Sequence, residues 1–183
     1  MSHSIMFVDD EVNILNSLVR LFRNEGYEIF TATSGAEGLK TIENHDISLI
    51  ISDYKMPQMS GVDFLAQVKE NSPDTMRIML TGYADLEASI NAINKGEVYR
   101  FITKPWQDEE IKLTVSQSLE YRGLMLSNRS LTKTVKKQAQ VLKKLENHYP
   151  GISEVSRSED GSIVIDEDDM DDLALDEIIN NNT

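Results

Sequence analysis

Five short apolar runs recur in the first 104 residues, at Ser4–Val8, Glu28–Ala32, Ile47–Ser52, Arg77–Leu80 and Tyr99–Thr103, and each is followed by a segment with helical spacing. IMFV and ISLIIS are nearly unbroken apolar stretches, the pattern of strands covered on both faces in a parallel sheet. Between the runs, Val12, Leu15, Leu18, Val19 and Phe22 fall at helical intervals, as do Val62, Leu65 and Val68. Gly26, Gly35, Pro57, Gly61, Pro73 and Gly82 punctuate the joins. Strand–helix alternation of this kind predicts an open α/β sheet with right-handed crossovers.

From Gln107 the helical pattern runs past the length of an ordinary helix, to about Tyr149, where Pro150–Gly151 ends it. Within it Leu124, Asn128, Leu131, Val135, Gln138, Leu142, Leu145 and Tyr149 recur in steps of four and three, a heptad seam with two polar members. The expected organisation is a globular domain over 1–121, a helical coiled-coil extension over 122–149 and an acidic tail over 150–183. The tail is rich in Asp and Glu and poor in aromatics, so disorder is expected there.

Charge sharpens this division. The formal net charge is −13, but residues 151–183 carry 11 acidic side chains against Arg157 alone. The overall acidity therefore describes the tail rather than the domain. Residues 121–150 hold seven Lys and Arg against Glu146, without interleaved aromatics or a helix-turn-helix pattern. They read as the solvated flank of a coiled coil, and no nucleic-acid partner is expected. No run approaches the length of a membrane span, the first residues lack a signal-peptide pattern, and cysteine is absent. A soluble cytoplasmic protein without membrane partners is the expectation. His3, His45 and His148 are scattered and suggest no site.

The candidate chemistry lies at strand ends. Asp9, Asp10 and Glu11 directly follow the first strand and Asp53 directly follows the third, so a parallel sheet gathers them at its carboxyl edge, where open α/β sheets bind ligands. Crowded carboxylates call for a cation, and a hard divalent ion with oxygen ligands suits them. Thr81 in IMLTG and Lys104 in FITKPW reach the same edge. Singly, each reads as an ordinary cap or turn residue. Jointly they supply a carboxylate nucleophile, a metal site, a hydroxyl and an ammonium, the parts needed to receive a phosphoryl group.

MFVDDE, LIISDYKMPQMSG, IMLTGY and FITKPW, in this order and spacing, resemble the four signature segments of response regulator receiver domains over about residues 3–120. The resemblance implies a flavodoxin-like five-stranded parallel sheet flanked by helices, here with a long C-terminal helix added. It implies that Asp53 accepts a phosphoryl group from a sensor histidine kinase. Asp10, Asp53 and the Lys55 carbonyl would bind Mg²⁺, with Asp9 acting through water. Lys104 would pair with the acceptor and then with phosphoryl oxygens, and Thr81 would hydrogen-bond the phosphoryl group and pass the signal on. The switch aromatic, three residues before the lysine, is Phe101, which can pack but offers no hydroxyl. Lys55 and Tyr83 would flank the path of the hydrolytic water and lengthen the phosphoryl lifetime. A cis Lys104–Pro105 bond is also implied.

The function expected is a signalling module, with no separate substrate, acting through phosphorylation-dependent contacts with an unknown downstream protein and through a possible homodimer along the C-terminal helix. Two alternatives stand beside it. A degenerate receiver could serve as a scaffold. A metal-dependent phosphohydrolase would need a second Asp two residues after its nucleophile, whereas Asp53 is followed by Tyr54 and Lys55.

Overall fold

A computed structural model describes residues 3–82 and 98–148. The order is β1 (Ser4–Val8), α1 (Val12–Phe22), β2 (Glu28–Ala32), α2 (Gly35–Asn44), β3 (Leu49–Asp53), α3 (Gly61–Asn71), β4 (Met76–Gly82), β5 (Arg100–Lys104) and α4 (Asp108–His148). All strand pairings are parallel and the sheet order is β2-β1-β3-β4-β5. This is the flavodoxin-like arrangement expected from the sequence, and its reversal of direction falls between β1 and β3. The helix expected between the fourth and fifth strands, Tyr83, Tyr149 and the tail all lie outside the described residues.

The period-two alternation of the strands divides the core between two faces. Ile5, Phe7, Leu49, Ile51, Ile78, Leu80 and Ile102 pack with Leu15, Leu18 and Phe22 of α1 and with Ile111, Val115 and Leu119 of α4. Met6, Val8, Ile50 and Met79 point the other way and pack with Phe64, Leu65 and Val68 of α3. Every residue of β1 and β3 is buried, as continuous apolar strands require.

Local signals begin the helices. Ser34 accepts the Glu37 N–H, while the Glu37 carboxylate accepts from Thr33, and Ser60 accepts the Asp63 N–H. Gly35 and Gly61, expected as punctuation, are the first residues of α2 and α3. Val12 departs from the predicted apolar face of α1. It is 56% exposed, because the first residue of the helix lies beyond the edge of the core.

Chain compactness gives two units, Met1–Ser130 and Leu131–Thr183. The first holds the sheet and its flanking helices. The second, in its described part, is the distal half of α4, where Leu131, Val135, Val141 and Leu142 are exposed. Within the first unit, Arg122 Nε donates to the Asp74 carbonyl at 2.8 Å, and Arg129 pairs with the Asp74 carboxylate.

Candidate functional site

The same alternation decides which candidate residues meet. Asp9 continues the Ile5–Phe7 row, its N–H still bonding the Ala32 carbonyl at 3.2 Å. Asp53 continues the Leu49–Ile51 row, and Lys104 continues from Ile102. All three charged side chains therefore belong to the face covered by α1 and α4. Asp10 is out of phase with them, and it is exposed.

Lys104 bridges the two buried carboxylates. Its Nζ donates to Asp9 Oδ2 at 2.8 Å and pairs with Asp53 Oδ1. Backbone donors hold the remaining oxygens: the Lys55 N–H reaches Asp53 Oδ2 at 2.7 Å and the Glu11 N–H reaches Asp9 Oδ1 at 2.9 Å. Asp9 is 1% exposed and Asp53 8%, so neither is well solvated. Burial pushes the Asp53 carboxyl up, Asp9 adds to that push, and Lys104 and the Lys55 N–H offset it only in part. Burial draws the Lys104 ammonium down, but hydrogen bonds and charge from Asp53 and Asp9 outweigh it and leave the group raised.

Glycine fixes the loop beneath Asp53. The Gly61 N–H donates to the Tyr54 carbonyl at 2.9 Å, and a Cβ on Gly61 would lie 1.9 Å from the Asp53 carbonyl oxygen. On the other side, the Tyr54 N–H donates to the Leu80 carbonyl at 2.8 Å, tying the loop to β4. The Gly61 requirement was not read from the sequence. Its only trace there is a glycine immediately after a helix-capping serine.

Thr81 and Phe101 belong to the opposite row. Thr81 continues from Met79, Phe101 lies beside Met79 in the β4–β5 register, and the Phe101 ring packs into the cluster on the α3 side. Thr81 is fully buried, and its hydroxyl donates to the Gly82 carbonyl at 3.3 Å. Lys104–Pro105 is cis.

The donor set suits a hard divalent cation. Two buried carboxylates converge on one positive charge, and a single ammonium leaves them with a net negative charge. Among the described residues no three acidic or histidine side chains are grouped around an ion position. A third carboxylate would have to come from Asp10 turning inward.

Residues 5–116 match the response regulator receiver domain family. The hydrogenase transcriptional regulatory protein HoxA of Bradyrhizobium diazoefficiens is 31% identical over 82% of this chain and 31% of its own length. The chain thus spans less than a third of that relative and of HoxA from Cupriavidus necator. A response regulator receiver domain protein of Clostridium thermocellum is 33% identical, with a TM-score of 0.64 over 67% of this chain and 98% of that one. The signal receiver domain of an HD domain-containing protein of Pseudomonas fluorescens is 35% identical, with a TM-score of 0.66 over 69% and 93% of the two chains. No described helix is long and apolar enough to cross a membrane. With the strand order and strand-end carboxylates, these likenesses establish that the chain belongs to the response regulator receiver domain family of two-component systems.

Proposed function

We propose that this chain accepts a phosphoryl group on Asp53 from the phosphohistidine of a sensor histidine kinase and signals through phosphorylation-dependent protein contacts. The observation that carries the reading is the constellation of Asp53, Asp9 and Lys104 at the carboxyl edge of the sheet. An Asp53 carboxylate oxygen forms the new O–P bond as the P–N bond of the phosphohistidine breaks, and the imidazole leaves. The Lys55 N–H orients the carboxylate, and Lys104 moves with the added phosphoryl oxygens. Asp10, Asp53 and the Lys55 carbonyl, with Asp9 acting through water, would hold Mg²⁺, which would supply charge neutralisation. Thr81 meets the phosphoryl group, and Phe101 follows by packing, since it lacks a hydroxyl.

The chemistry is self-modification, without a separate substrate. The organisation proposed is a receiver over 1–121, a coiled-coil helix over 122–149 and an acidic tail over 150–183, working in the cytoplasm. Its output is contact with a downstream protein and with a second copy of itself.

Incubation with acetyl phosphate and Mg²⁺, followed by intact mass, should show one added phosphoryl group on the parent chain and none on Asp53→Asn. Labelling of Asp53→Asn at a near-normal rate would overturn the assignment. Sustained phosphate release without an adduct would favour a phosphohydrolase, and neither adduct nor turnover would favour a scaffold.

A further inference from the structure

Helix α4 runs without a break through Gly123 to His148, so its 41 residues can be assigned to heptad positions as one element. With Asn128 at position a, the a positions are Asn128, Val135 and Leu142, and the d positions are Leu124, Leu131, Gln138 and Leu145. Leu124, Leu131, Val135 and Leu142 are 70, 67, 61 and 63% exposed, a row of large apolar side chains facing water. With Met125 and Val141 beside them, two copies present on the order of 1,000 Å² of apolar surface, the area at which specific interfaces begin.

Charge placement says what covers this row. The flanking e and g positions hold Met125, Thr132, Ala139, Ser127, Thr134, Val141 and His148, with Glu146 the single carboxylate. Every Lys and Arg of this stretch falls at b, c or f: Arg122, Arg129, Lys136 and Lys143 at b, Lys137 and Lys144 at c, Lys133 at f. Two identical helices meeting along a and d would keep their cations on opposite outer sides. Flanks without Lys or Arg would spare the pair like-charge repulsion beside the seam. The b face is also the one that Asp74 engages through Arg122 and Arg129, so the seam at Leu124 is left to solvent.

The residue types select the partner. Val at a with Leu at d favours two strands, and a lone Asn at a sets register at a cost in stability. In a parallel pair of copies, Asn128 meets Asn128. A parallel pair shifted by one heptad would set it against Val135, and an antiparallel pair would set it against Gln138, the alternative that the cysteine test below separates. We propose that α4 pairs with α4 of a second copy of this chain as a parallel, in-register, two-stranded coiled coil over residues 124–145. The pairing is inferred from α4 alone and not from the Asp53 assignment, so cross-linking of α4 and labelling of Asp53 can fail separately.

The chain has no cysteine, which permits a direct test. In the full chain, Asn128→Cys and Leu142→Cys should each form interchain disulfides on mild oxidation, because facing a positions bring the two Cα atoms within disulfide reach. Lys137→Cys, on the outer face, should not. Sedimentation of the parent chain should give twice the monomer mass, and Leu131→Asp with Leu142→Asp should weaken association by more than about tenfold. A parent chain that stays monomeric at all concentrations overturns the proposal. So does equal cross-linking at Lys137→Cys. A dimer with no cross-link at Asn128→Cys overturns the parallel register.

Discussion

Burial pushes the Asp53 carboxyl above its ordinary range, and Lys104 offsets this only in part, so ionising Asp53 opposes folding. For an acid raised in the folded state, the penalty is absent below its ordinary value near 3.8 and grows as pH rises through the folded value. Asp53→Asn removes the charge while leaving the Asp9–Lys104 pair. Its thermal midpoint should exceed that of the parent at neutral pH, and the gap should close as pH falls toward the ordinary carboxyl range. Melting curves across that range check the sign, and a gap that widens on acidification would contradict it. Asp9, Asp53 and Lys104 were legible in the sequence because each ends or directly follows an apolar strand. Asp10 looks equivalent to Asp9 in the string DDE, but one step along an extended chain reverses the direction of the side chain. Its exposure is visible only once phase is counted from Ile5 and Phe7.

At the scale of elements, α4 carries a glycine where helix formation does not need one. A Cβ on Gly123 would meet nothing within 4 Å, and the residue is exposed. Gly123→Ala should therefore stabilise the chain by about 0.5–1 kcal/mol, measurable as a higher urea midpoint with an unchanged slope. A loss of stability would mean that the helix is required to bend or open there. The strands and α1, α3 and α4 could be read from periodicity to within a few residues, as β3 shows by running Leu49–Asp53 where Ile47–Ser52 was expected. Ile47 is buried without being in the strand, so apolarity alone overran the boundary. Gly61 could be read as punctuation but not as a packing constraint, because that constraint is the nearness of a backbone carbonyl eight residues earlier in the chain.

Across the whole molecule, the two buried carboxylates and one ammonium leave an unbalanced negative charge that a divalent ion would neutralise. Binding to the folded chain alone raises stability by mass action, about 2.7 kcal/mol at a hundredfold excess over Kd. Mg²⁺ should raise the thermal midpoint of the parent in a saturable way and that of Asp53→Asn by clearly less. A parent midpoint that does not respond to Mg²⁺ would show that Lys104 alone satisfies the site.

Asp53 stands opposite Leu80 in the β3–β4 ladder, and the next N–H, that of Tyr54, also bonds to Leu80. The Asp53 carboxylate is thus built into the sheet, while the solvent-facing positions of α1, α4 and the other helices take no part in holding it. With Asp53 as the acceptor, as proposed above, a duplicated copy of such a chain could exchange its partners by rewriting those outer positions while keeping the acceptor intact. Insulation between parallel signalling lines would then be a matter of surface divergence rather than of chemistry.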